Sequence, residues 1–321
     1  MRTPILLWGL SGDSPLDAVF GALQNLEADL FFVDQRRILE SQISLHVDRE
    51  VRGCLQVGGR TVDLASVAGI YLRPYDTRKL PALRDAQPGQ HAWEHALGFD
   101  DAMLSWLEIS EALVINRPSA MAPNNAKPLQ LNAIRAAGFS VPETLVTNDA
   151  AAALEFRERH GAVVYKSISG MRSIVHRFDD SRLERLADLA ACPTQFQQFV
   201  PGLEHRVHIV GDEVFACTIR SEADDYRYAE ADAGVDIRPC ALPAEIAERC
   251  VRMVAGMQLH LAGVDMRRTP AGEWFCFEVN PSPAFTYYEE ATGQSIADAV
   301  AELLSGARHP SPLTLETAGV S

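Results

Sequence analysis

Asp265, Glu278 and Asn280 lie in GVDMRRTPAGEWFCFEVNPSP, residues 263–283, a stretch that reads as two strands joined by a turn. Thr269-Pro270-Ala271-Gly272 supplies the proline and glycine of a tight reversal. Side chains two apart on a strand share a face, so Cys276, Glu278 and Asn280 are predicted to look one way. Pairing Arg268 with Glu273 sets Asp265 opposite Cys276 and brings it to the same side. Two carboxylates and an amide carbonyl make a hard, oxygen-only ligand set, of the kind that holds Mg²⁺ together with phosphate oxygens. The plainer reading is the solvated outer face of a hairpin. The abrupt end at Pro281-Ser282-Pro283 favours a site, because sites are commonly built on the loops that follow strands.

Lysine is rare in this chain. Of 29 basic residues only Lys79, Lys127 and Lys166 are lysines. A lysine kept where arginine is the rule suits a position that needs a compact ammonium. Lys166 ends the predicted strand AVVYK and precedes Ser167-Ile168-Ser169-Gly170-Met171-Arg172-Ser173, a loop whose N–H groups could cover phosphates or simply join a hairpin. In LEHRVHIVGDEVFACTIRS, alternation puts Glu204, Arg206 and His208 on one face, and Arg220 closes the second strand. No Walker A, protein-kinase or dinucleotide fingerprint is present.

The chain has 321 residues, 47% hydrophobic and 22% charged, enough for two or three domains. Its net charge of −14 disfavours nucleic-acid binding, which needs a basic surface. No apolar run reaches the ~18 residues of a membrane span, and the N-terminus reads as a first strand rather than a signal peptide. Six scattered cysteines fit a reduced, cytoplasmic protein without zinc or an iron–sulfur cluster.

The chemistry-bearing residues need a frame. A strand at 4–10, a helix at 15–27 and a strand at 30–34 predict a β-α-β unit with a parallel sheet. Short antiparallel strands over 43–65 turn at Gly58-Gly59. A strand at 67–76, a helix at 88–110 and a strand at 113–118 complete a small α/β domain. Further on, helices are expected near 119–138, 149–161, 242–262 and 293–304. Strands are expected at 162–178, 194–202 and 203–220, with a polar loop at 223–236.

The order of these motifs resembles the ATP-grasp superfamily, in the branch of ribosomal-protein S6 glutamate ligase and glutathione synthetase. The resemblance covers about residues 115–305 and is strongest at VVYKSISG, QQFVPGLEHRVHIVGDEVFA and the hairpin. It implies an α/β fold, α+β in its C-terminal part. The expected order is a pre-ATP-grasp domain (1–117), an N-terminal lobe (118–193), a C-terminal lobe (194–309) and a tail (310–321). By position it implies Lys127 and Lys166 on ATP phosphates under a loop that includes Ser169 and Gly170. Gln197, Gln198, Phe199 and Val200 match the adenine-reading hinge, and Glu204 the ribose-binding acid. Asp265, Glu278 and Asn280 match the metal ligands, with two Mg²⁺ ions expected and Mn²⁺ able to replace them. Arg206 and Arg220 match the arginines that face the transferred phosphate and the acyl phosphate.

The implied activity is an ATP-dependent carboxylate–amine or carboxylate–hydroxyl ligase working through an acyl phosphate and releasing ADP and phosphate. A phosphotransferase or a non-catalytic nucleotide-binding module are the alternatives. GDEVFA at 211–216, Asp225-Tyr226-Arg227, the segment after Asn280 and Tyr71-Leu72-Arg73-Pro74 are also similar to the ATP-grasp maturases of ribosomal peptides, the graspetide synthetases. That resemblance implies a peptide substrate joined through Asp or Glu side chains; the other class is a small amino-acid-like substrate. An acidic peptide would call for a basic patch, for which Arg36, Arg37, Arg49, Arg52, Arg73 and Arg78 are candidates. No nucleic-acid or membrane partner is expected, and a homo-oligomer is left open.

Overall fold

The chain opens with β1 (Ile5–Gly9), α1 (Ser14–Asn25) and β2 (Leu30–Asp34). The Asp13 carboxylate caps α1 by accepting from Leu16 N–H, and Pro15 occupies its first turn. β3 (Ser41–Val47), β4 (Val51–Val57) and β5 (Arg60–Asp63) form an antiparallel meander. β6 (Gly69–Arg73), α2 (His91–Ile109) and β7 (Leu113–Ile115) follow. The main sheet runs β2-β1-β6-β7, all parallel. β1 is buried along its whole length, as a central strand covered on both faces must be. The computed structural model describes residues 3–125, 127–167, 175–221 and 234–307.

A short helix α3 (Pro118–Met121) and α4 (Lys127–Ala136) lead into the next sheet. That sheet contains β8 (Thr144–Thr147), β9 (Val163–Ser167), β10 (His176–Arg177) and β11 (Thr194–Gln198), in the antiparallel order β10-β9-β11-β8. Helix α5 (Ala150–His160) starts at the Asp149 cap and stops at Gly161, φ +69°, as the capping residues foretell. By pairing, β11 belongs to this sheet, and the chain passes to the next one over 199–202.

A five-stranded sheet is the frame for the site. It holds β12 (Leu203–Val210), β13 (Glu213–Arg220), β14 (Asp236–Cys240), β15 (Leu261–Arg268) and β16 (Trp274–Asn280), in the order β14-β13-β12-β15-β16. One face is a core of Val207, Ile209, Val264, Met266, Cys276 and Val279 packed with Ile246, Cys250, Met253 and Val254 of α6 (Ala244–Gly256). The chain closes with α7 (Thr286–Thr292) and α8 (Ile296–Leu304). Among the described residues no helix is long and apolar enough to cross a membrane.

The hairpin corrects the predicted register. Arg268 pairs with Trp274, not Glu273, and Asp265 pairs with Glu278, not Cys276. The shift falls between Asp265 and Met266, so that Phe277 is the extra residue of a β-bulge. The bulge reverses the parity of the strand. Cys276 turns into the core opposite Met266, fully buried, and burial holds its thiol well above the usual range. Glu278 and Asn280 stay on the opposite, cleft-facing side.

Candidate active site

Three neighbouring strands bring the polar face together. Arg206 of β12 pairs with Asp265 of β15, and Asp265 with Glu278 of β16. His208 and Asn280 likewise flank Gly263. Arg206 donates from Nη1 to Asp265 Oδ1 at 2.5 Å and from Nε to His208 Nε2 at 3.3 Å. Burial first, and the Arg206 charge second, hold the His208 imidazole well below its usual pKa, so it accepts this bond as a neutral ring. The Arg206 guanidinium also lies over Tyr288, 5.4 Å from the ring centre. A Cβ added at Gly263 would stand 2.2 Å from Arg206 Nη2, so the absence of a side chain there makes room for the arginine.

Lys166 reaches this face from the other sheet. Its Nζ stands 4.0 Å from Glu278 Oε2, with only 14% and 23% of the two side chains exposed. Lys127 opens α4, and its side chain lies outside what is described. Ser169, Gly170 and the Asp225-Tyr226-Arg227 motif also fall outside the described residues.

The expected hinge follows β11. Gln197 Nε2 donates to Thr144 Oγ1 at 3.1 Å. The N–H groups of Gln198 and Phe199 donate to Glu143 O at 2.9 Å and Ala162 O at 3.0 Å. Val200 O accepts from Arg267 Nη1 at 2.8 Å, and Arg267 Nη2 donates to Glu204 Oε2 at 3.1 Å. Arg267 further lies over Phe199 at 5.6 Å and Phe277 at 5.4 Å. Arg267 thus ties the hinge, the expected ribose acid and the bulge together, a role the sequence reading missed. Alternation from Asp265 was the available signal, since residues 265 and 267 share a face. Gln195 was missed as well. It pairs with Lys166 across β9 and β11 and is 2% exposed, and its Oε1 has no hydrogen-bond partner among the described residues.

Arg220 is not gathered into this cluster. It ends β13, exposed and opposite Asp236, and alternation sets it on the other face from Cys217, the cross-strand partner of Arg206. The arginines suggested as a basic patch are largely matched by their own acids. Arg37 pairs with Glu40, Arg52 with Asp48, Arg78 with Asp76, and Arg73 with Asp13 at 2.6 Å. Arg73 also donates to Ser282 Oγ at 2.9 Å and Pro283 O at 3.1 Å, fastening the end of β6 to the segment after Asn280.

The donor set fits a hard divalent cation. Asp265, Glu278 and Asn280 offer oxygen only, and the Asp265 and Glu278 side chains are 30% and 23% exposed. Asn280 Oδ1 accepts from Ser282 N–H at 2.9 Å, which fixes the amide. Among the described residues no three His, Cys, Asp or Glu side chains form a cage. An ion at this face would therefore rest on two carboxylates, an amide and ligand oxygens, which is how Mg²⁺ is commonly shared between protein and phosphate.

Comparison with known proteins agrees with this architecture. The pattern of the RimK-like ATP-grasp domain matches residues 123–304. A probable alpha-L-glutamate ligase 1 of Shewanella amazonensis is 25% identical over 222 residues, 66% of this chain and 73% of that protein. Among solved structures, a RiPP-associated ATP-grasp ligase of Chryseobacterium gregarium, in complex with ADP and a leader and core peptide, superposes with a TM-score of 0.83 at 21% identity. That match covers 97% of this chain and 98% of the other. The ATP-grasp ligase PsnB, complexed with a phosphomimetic variant of its minimal precursor, Mg and ADP, gives 0.77 at 25% identity over 94% and 97% of the two chains. With more than half its length matched, the chain belongs to the RimK-like ATP-grasp family and is an ATP-dependent ligase of the ATP-grasp type.

Proposed function

We propose that this ligase activates a side-chain carboxylate of a peptide with ATP and joins it to an amine or hydroxyl, releasing ADP and phosphate. The observation that carries the reading is the meeting of Lys166 with Glu278 at 4.0 Å, which sets a cation from one sheet against the acidic face of the other. A carboxylate is a poor acyl donor until a phosphoryl group makes its oxygen a leaving group. The γ-phosphoryl would pass to the carboxylate oxygen as ADP leaves. The nucleophile would then attack the acyl carbon, lose its proton and expel phosphate.

Lys166 and Arg206 are assigned to the phosphate charge that develops during transfer. Asp265, Glu278 and Asn280 would hold Mg²⁺, which when bound neutralises phosphate charge and orients the oxygens. Glu204 would take the ribose hydroxyls. The peptide class is supported by likeness to ligases solved with precursor peptides, which extends over 94% or more of this chain.

The test is ATP turnover with Mg²⁺ and hydroxylamine, against pools of acidic peptides and of free amino acids. ADP together with a peptide hydroxamate is the expected result. A hydroxamate from the amino-acid pool alone would replace the peptide by a small substrate. AMP in place of ADP would overturn the acyl-phosphate route.

A further inference from the structure

Strand β16 lies at the edge of its sheet, where the outer N–H and C=O groups of a strand are normally left unpaired. Here the outer edge is closed from outside the sheet. Cys276 N–H donates to Ser140 O at 2.9 Å, in a bridge that also pairs Ser140 with Phe275. At Val279 a side chain does the work of a strand. Gln130 Nε2 donates to Val279 O at 2.7 Å, and Val279 N–H donates to Gln130 Oε1 at 3.2 Å. One carboxamide makes both bonds that a neighbouring strand residue would make. Gln130 is 4% exposed, and Val279 is fully buried.

Val279 separates Glu278 from Asn280. A second buried carboxamide acts just beyond them. Asn116, 2% exposed, donates from Nδ2 to Pro281 O and Leu261 O at 2.7 Å each and accepts from His260 N–H at 2.7 Å. The two expected ligands on β16 are thus bracketed by amides from α4 and from the end of β7. Burial of a well-satisfied amide is costly to undo, because removing it strands two backbone groups away from water.

We infer that Gln130 is a positioning residue for the divalent cation. By holding the backbone of Val279 from the outer edge, it sets the Glu278 and Asn280 oxygens at the separation the ion needs. Gln130 lies one helical turn after Lys127, at the start of α4, so the same bond ties the helix that carries that lysine to the strand that carries the ligands. This inference rests on the assignment of Glu278 and Asn280 as ligands under the proposed function.

The experiment measures Mn²⁺ binding to the full chain in the presence of ADP, by the loss of the free-ion electron paramagnetic resonance signal. Metal-free ADP binding and thermal melting are followed in parallel. Gln130→Leu, which cannot hydrogen-bond, is expected to weaken Mn²⁺ about 10- to 100-fold, as loss of the groups that orient ligands commonly does. Gln130→Asn, one methylene short of the strand, is expected to change it in the same direction and serves if the leucine variant does not fold. Val254→Ala, in the core beneath the same sheet, lowers the melting temperature without touching the edge, and is expected to keep wild-type Mn²⁺ affinity. Wild-type affinity in both Gln130 variants, or an equal loss in Val254→Ala, would overturn the inference. Glu278→Gln separates the two levels. If it binds Mn²⁺ as tightly as wild type, the ligand assignment itself fails; if it binds weakly while the Gln130 variants do not, only the inference fails.

Discussion

Gly263 gives Arg206 its place: a methyl group at residue 263 would stand 2.2 Å from Nη2 and 2.6 Å from Cζ of that arginine. The guanidinium is the far end of a flexible side chain, so it can move aside, but only by leaving Asp265 and His208. Gly263→Ala is therefore expected to cost about 1 kcal/mol of stability and yet lower turnover about 100-fold, since small misplacements of catalytic groups have that effect. Thermal melting set beside the hydroxylamine assay checks this. Turnover within threefold of wild type would mean that the position of Arg206 does not govern the reaction.

Lys166 and Glu278 stand on different sheets, and their pairing joins the two. At 4.0 Å the two groups stand beyond hydrogen-bond distance of one another, so the pair is better explained by function than by stability. Lys166→Met and Glu278→Gln should each lower turnover about 100- to 1,000-fold with little change in melting temperature. If both groups act on one phosphate-bearing assembly, the double variant should lose much less than the product of the single losses. Multiplicative losses would show independent roles.

Asp100 of α2 offers a pH-dependent test away from the site. Burial pushes its carboxyl up to about 6, and its Oδ1 has no hydrogen-bond partner among the described residues. A carboxyl whose pKa is raised on folding favours the folded state while protonated, and this contribution is lost as pH rises from about 4 through about 6. Above that range the charged form penalises the fold, by about 1 kcal/mol once residual solvent screening is allowed for. Asp100→Asn should raise the melting temperature at pH 7.5 and give little advantage at pH 4.5. An equal gain at both pH values would show that ionisation is not the cause.

The sequence revealed which residues could meet but not every way in which they do. The β-α-β opening, the α5 cap at Asp149 and the turn after Arg268 were legible, because local chemistry decides them. The bulge at Phe277 was not. A bulge changes which face a residue occupies without any glycine or proline to announce it, so plain alternation puts Cys276 on the ligand face although it fills the core. Strand β14, with Pro239 inside it, and helix α7 were missed as well. A proline within a strand is tolerated at a sheet edge, and β14 is an edge strand, a fact only the topology supplies. Gln130 and Asn116 carried no signal, because their partners lie about 150 residues away in sequence and are backbone groups.

Glu204 and Arg267 allow the nucleotide end of the site to be tested without reference to the metal. Arg267 holds Glu204 at 3.1 Å and Val200 O at 2.8 Å, so its loss should release the acid and the hinge together. Glu204→Gln keeps the shape but removes the charge that would bind a ribose hydroxyl. It is expected to raise the KM for ATP about tenfold, equivalent to ~1.4 kcal/mol, with kcat changed less than threefold. Arg267→Ala should raise KM at least as much and also lower the melting temperature, because its guanidinium lies over Phe199 and Phe277. Repeating the series with 2′-deoxy-ATP identifies the contact. If Glu204 accepts from the 2′-hydroxyl, the wild-type enzyme should lose about as much on removal of that hydroxyl as it loses on Glu204→Gln, and the two losses should not add. Additive losses would move Glu204 off the 2′-hydroxyl and leave it as a partner that orients Arg267.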